Sequence, residues 1–105
     1  MARKFQPFHK ETITKELLGV PSLDRSDLFR AMDNFQDETG IHYTVKAYGD
    51  GLMMIKGKGS GRCLWFYKGE TEYRVVRVYQ KTSKKAPKSE IEIARARMRA
   101  DLGQD

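Results

Sequence analysis

A chain of 105 residues, 39% hydrophobic and 32% charged, has apolar material for one core beneath a charged surface, and two separate cores at this length would each be marginal. Its longest apolar stretches, such as Leu52 to Ile55 and Cys63 to Tyr67, fall far short of the roughly 20 residues that span a bilayer, and the basic start Met1-Ala2-Arg3-Lys4 runs into polar residues instead of an apolar signal core, so one cytoplasmic domain is expected. Lys plus Arg exceed Asp plus Glu by 20 to 14, a formal net charge of +6 that suits a polyanionic partner and equally a solvated, solubilising surface.

Thr12 or Thr14 can cap a short first helix through Leu17 and Leu18, which Gly19 and the approach to Pro21 should end. Ser22 then offers a cap for a second helix, in which Leu28, Phe29, Met32 and Phe35 recur at helical spacing until Thr39-Gly40. That stripe reads as core. After Gly40 the period shortens, and Tyr43 to Tyr48, Gly51 to Lys56, Arg62 to Tyr67 and Tyr73 to Lys81 read as four strands. Tyr48-Gly49-Asp50-Gly51 and Lys68-Gly69-Glu70 supply hairpin turns, so the sheet should be antiparallel. Following Pro87, Lys88 to Leu102 reads as a helix, with Ser89 as cap and Ile91, Ala94 and Met98 on one face. The expected fold is therefore α+β: two N-terminal helices on a four-stranded antiparallel sheet, with a C-terminal helix. One domain should span residues 1–105.

Charge is unevenly distributed along this order. Acids dominate from Ser22 to Glu38 (Asp24, Asp27, Asp33, Asp37 and Glu38), and bases dominate from Lys56 to Arg99. Three segments could carry chemistry, one of them the C-terminal helix Glu90 to Arg99, whose early acids and late arginines also suit the helix dipole. In Lys56-Gly57-Lys58-Gly59-Ser60-Gly61-Arg62, alternate glycines expose backbone N–H groups and allow a polyanion to approach, with three cations beside them. The segment lacks the Gly-Lys-Ser/Thr ending of a nucleotide-binding loop and joins two strands, so NTP hydrolysis is not indicated; a flexible charged hairpin is the alternative. The second, Gln80-Lys81-Thr82-Ser83-Lys84-Lys85-Ala86-Pro87-Lys88, carries four lysines, suited to phosphate contacts without base reading, or else forms a solvated linker. Lys81, Lys84, Lys85 and Lys88, with Arg77 on the last strand, are the candidate nucleic-acid-binding residues.

The residue inventory narrows the chemistry. No His/Cys/Asp group has metal-ligand spacing, His9 and His42 lie outside the basic half, and the lone Cys63 in a strand-like run reads as a small buried hydrophobe. No metal or other cofactor is expected. RNA cleavage by the substrate's own 2′-OH suits what is left, since lysine can assist proton transfer and arginine can stabilise charge on the scissile phosphate.

The runs Val45-Lys46-Ala47-Tyr48-Gly49-Asp50-Gly51-Leu52, Lys56 to Gly59, Arg62-Cys63-Leu64-Trp65-Phe66-Tyr67, and Val78-Tyr79-Gln80-Lys81 through Ser89-Glu90-Ile91-Glu92-Ile93-Ala94 together resemble the phage-derived, HigB-like branch of the RelE/ParE toxins. Its signature entering the last helix is Lys-Lys-Thr/Ser-x-Lys-Thr-Pro-x-x-Glu-Ile-Glu-x-Ala. The resemblance implies a ribosome-dependent mRNA endoribonuclease that works without a metal and is restrained by a helix-turn-helix, HigA-like antitoxin. It implies Arg62 for transition-state charge, Lys56 or Lys58 for proton transfer, and the later lysines for the RNA backbone. Two positions depart from the pattern: Met54-Ile55-Lys56 stands where many relatives have Glu-Leu-Arg, and nothing aromatic follows Tyr79. A catalytically inactive binding module for nucleic acid or a host protein, and a gyrase-directed toxin, are the alternative functions.

Overall fold

A computed structural model describes residues 3–84 and 87–103. The elements in order are β1 (Lys4–Pro7), α1 (Lys10–Leu18), α2 (Ser22–Gln36), β2 (Thr44–Gly49), β3 (Leu52–Lys56), β4 (Gly61–Lys68), β5 (Glu72–Gln80) and α3 (Lys88–Asp101). The α+β order expected from the sequence is present, but the sheet has five strands, β1-β5-β4-β3-β2, and is mixed. Expected as four antiparallel strands, it gains β1, which pairs parallel to β5 in the register Lys4↔Glu72 to Pro7↔Val75. Four residues are too few to show a period, and their partner lies almost 70 residues away along the chain, so no local signal marks them. Pro7 is tolerated because β1 is an edge strand. Phe5 secures it: its ring meets Trp65 edge-on at 5.5 Å, and its N–H donates to Gln36 Oε1 at 2.6 Å, occupying the outer edge.

The helix starts also differ from expectation. His9, in extended conformation, caps α1 by accepting from Thr12 N–H, so Thr12 is a helical residue and not the cap. Ser22 and Ser89 lie inside the first turns of α2 and α3, where Pro21 and Pro87 take the cap positions without a side-chain cap. At the β2–β3 hairpin, Asp50 and Gly51 both have positive φ (55° and 90°), which matches the twist of a two-residue turn.

The sheet has a helical layer on one face and a partial one on the other. α1 and α2 cover the first face through Ile13, Val20, Leu28 and Ala31, against Ile55, Cys63, Trp65, Val75 and Val78. α3 covers the second with Ala94 and Met98, against Leu52, Met54, Leu64, Phe66, Val76 and Tyr79. Because Leu64 pairs with Arg77 and Trp65 with Val75, Val76 is an extra residue in β5, a bulge that turns Val76 and Arg77 toward the α3 side. Beyond β1 the free edge of β5 is taken up by α1, whose Glu16 accepts from Val78 N–H at 3.0 Å. Among the described residues, no helix is long and apolar enough to cross a membrane.

Candidate nucleic-acid interface

Side chains of a strand alternate between faces, so cross-strand register decides which of them meet. On the α3 side of the sheet, Thr44 pairs with Lys56 and Arg62 with Tyr79. Lys46 and Met54 pair one step along, and Lys81 follows Tyr79 by two residues. These residues, with Tyr48, line a shallow cleft of about 170 Å³ on the part of the face that α3 leaves open. Its volume is below the ~300 Å³ at which pockets for small organic ligands begin. Through Tyr79 and Lys81 it runs on into a wider depression bordered by Thr82, Ser83, Pro87, Lys88 and Glu90. A shallow track with a cationic lining suits an extended polyanion.

Arg62 is the most constrained of the cations. Its Nη1 donates to Gly59 O at 2.7 Å and to Gly61 O at 3.0 Å, which holds the guanidinium beside Tyr79 and leaves its other N–H groups for a ligand. Lys46 Nζ lies 5.4 Å from the centre of the Tyr48 ring, a cation–π contact that holds the ammonium at the cleft. Tyr79 is almost fully buried, and its hydroxyl makes no hydrogen bond among the described residues. Burial foremost, then neighbouring Tyr48, pushes its pKa up to about 12, with Arg62 pulling the other way. At neutral pH it is a proton-bearing donor.

The residues expected from the sequence separate here. Lys56, Arg62 and Lys81 come together in the cleft, and Lys88 lines the adjoining depression. Lys58 does not join them, because it is exposed in the β3–β4 loop outside the lining. Lys84 is exposed just past β5, and Lys85 lies outside the described residues. Arg77, expected on the nucleic-acid surface, is instead neutralised within the fold by Glu90 at 2.5 Å and Glu16 at 2.8 Å. The Glu90 hydrogen bond raises its pKa, burial opposes this, and Glu16 adds to it. The bulge that turns Arg77 toward α3 cannot be seen in a strand's alternation.

The glycine loop also has a different role from the one its composition suggests. Gly59 N–H, expected to face a polyanion, donates to Asp27 Oδ2 at 2.8 Å, and Ser60 Oγ donates to Asp24 Oδ2 at 2.5 Å. A Cβ at Gly57 would stand 2.4 Å from Asp27 Oδ2, and one at Gly59 2.5 Å from Asp24 Oδ1. Glycine at these two positions leaves room for the α2 carboxylates to lie against the loop. Lys46, Tyr48 and Tyr79 were missed as site residues; the available signal was their period-2 placement on the face shared with Lys56 and Arg62.

Fold and cleft together define a small α+β protein that presents a cationic, tyrosine-backed track on the half-open face of a mixed sheet. A family model, Phage derived protein Gp49-like (DUF891), matches residues 15–99, from the middle of α1 to the last turn of α3, and the chain belongs to that family. The family is related to the RelE-type toxins of toxin–antitoxin systems. No curated protein matches the chain.

Proposed function

We propose that this protein is a HigB-like toxin that binds translating ribosomes and cuts mRNA at the cleft of Lys56, Arg62, Tyr79 and Lys81. The observation that carries this reading is the gathering of those side chains, from three strands and the chain just beyond β5, in one cleft on the α3 side of the sheet. No nucleophile from the protein is required. The RNA 2′-OH attacks the adjacent phosphorus, the P–O5′ bond breaks, and the products are a 2′,3′-cyclic phosphate and a 5′-OH end. Arg62 faces the charge that builds on the phosphoryl oxygens; an oxyanion donor of this kind contributes about 10²–10³ in kcat. Lys56 is assigned the proton transfer because it lines the cleft and Lys58 does not, and the Tyr79 hydroxyl donates to the same phosphate. Lys46 and Lys81 hold the flanking backbone, and the remaining lysines of the segment after β5, Lys84, Lys85 and Lys88, are assigned to rRNA or mRNA phosphates.

A toxin of this family needs a restraining partner, and the proposed one is a helix-turn-helix antitoxin that masks the cationic face. The test is to induce the protein in bacteria and map mRNA 5′ ends with and without Arg62→Ala. New in-frame cuts on translated messages that disappear in the variant are expected. Intact messages would sink the nuclease reading; accompanying DNA damage would point to gyrase, and graded binding losses with each removed charge to a non-cleaving module.

A further inference from the structure

Cations that act on phosphate gain from being fixed in place, and Arg62 is fixed by a loop that is itself held from the opposite side of the sheet. We infer that Asp27, assisted by Asp24, is a positioning residue for Arg62. The inference rests on the cleft being the cleavage site. Asp24 and Asp27 stand three residues apart on α2, which places them on one helix face, and that face is turned to the β3–β4 loop. Both oxygens of Asp27 are engaged: Oδ1 meets His42 Nε2 at 2.8 Å and Oδ2 accepts from Gly59 N–H at 2.8 Å. Its side chain is 19% exposed, and that of His42 12%, so the anchor is partly withdrawn from water.

From this anchor the chain of contacts runs without a gap. Asp27 fixes Gly59 through its N–H, and the carbonyl of the same residue accepts from Arg62 Nη1 at 2.7 Å. Asp24 fixes Ser60 through its hydroxyl, and Ser60 O accepts from Lys81 N–H at 2.8 Å, bringing β5 and its lysine to the same loop. Gln80 Nε2 adds a contact to Ser60 Oγ at 3.3 Å. The absence of a Cβ at Gly57 and Gly59 is what allows the carboxylates this close. The acidic stretch of α2 and the basic loop, distant in sequence, thus form one device whose output is the orientation of a guanidinium. A displacement of ~1 Å in such a group can cost up to about 100-fold in rate.

The experiment is a double-mutant cycle on single-turnover mRNA cleavage by the purified protein with programmed ribosomes, comparing Arg62→Ala, Asp27→Ala and the pair. Asp27→Ala should lower the maximal rate ~10-fold to 100-fold with the half-saturating ribosome concentration little changed, and it should have no further effect once Arg62 is alanine. Asp27→Asn keeps an acceptor for Gly59 N–H and should retain the rate within about threefold, as a positioning role requires. Ser60→Ala, which removes one hydroxyl at a loop surface, serves if Asp27→Ala fails to fold; its several-fold loss should also vanish in the Arg62→Ala background. Losses that add in full to that of Arg62→Ala, or an unchanged rate in Asp27→Ala or Ser60→Ala, would overturn the inference while leaving the cleft assignment intact. If Arg62→Ala itself cleaves normally, it is the cleft assignment that fails.

Discussion

Tyr79 is asked to do two things by its place in β5. Its ring belongs to the α3-side core with Leu64, Phe66 and Met98, while the same residue lines the cleft beside Arg62. Burial raises its pKa to about 12, whereas an unfolded tyrosine releases its proton near 10. Between those values the folded chain binds more protons than the unfolded one, so this contribution to stability is whole below pH ~10 and is lost as pH rises toward ~12. Thermal unfolding midpoints measured from about pH 9 to 12 should fall more steeply in the natural protein than in Tyr79→Phe. In the cleavage assay Tyr79→Phe should lose about 10-fold, the worth of one hydrogen bond to a charged phosphate; an unchanged rate would remove the hydroxyl from the chemistry. Cys63 presents the opposite case: it is buried on the helix-covered face, burial pushes its thiol well above the ordinary range, and its reading as a small core hydrophobe matches that environment.

Among elements, α1 is held by a single acid to more of the fold than its nine residues would suggest. Glu16 accepts from Val78 N–H, from Arg77 Nη1 and, at 2.7 Å, from Arg97 Nη1 of α3, and so joins α1, the edge of β5 and α3. With 13% of its side chain exposed, its removal would leave two arginines and a strand N–H without their acceptor. Glu16→Ala should therefore destabilise by about 2 kcal/mol, the cost of leaving partly buried donors without their acceptor. Urea unfolding would show it; a change below ~1 kcal/mol would mean that water replaces the carboxylate.

Glu16 gave no such signal in the sequence, because its partners lie 61, 62 and 81 positions away. The elements that could be read were those with a local period: the apolar stripe of α2, the four runs that became β2 to β5, and the Ile91, Ala94, Met98 face of α3. What could not be read depended on distant pairing, as in β1, or on a break in alternation, as in the bulge that turns Arg77 inward. The site followed the same division. Lys56 and Arg62 were visible as strand-end cations flanking a glycine loop, but which lysine shares their face, and that the Gly59 N–H is already taken, are consequences of register and of α2.

At the scale of the whole molecule, the +6 charge is less informative than its arrangement. Arg74 and Lys68 meet Asp101, Arg77 and Arg97 meet Glu16, and Arg95 meets Asp50, so several arginines of the basic half serve the fold. Lys46, Lys56, Arg62 and Lys81, by contrast, have no carboxylate partner among the described residues, and they are the ones that line the cleft. Each phosphate neutralised on single-stranded RNA contributes about −0.7 to the slope of log affinity against log salt. Four such contacts would give a slope of about −3, and alanine at any one of the four should reduce its magnitude by about 0.7. Lys10→Ala removes the same charge from α1 on the helix-covered side and should leave the slope unchanged. Titrations of a labelled RNA oligonucleotide at a series of salt concentrations separate the cases. Equal losses from Lys10 and the cleft lysines would mean that RNA responds to net charge alone, whereas losses confined to the four would locate the polyanion on the open face of the sheet.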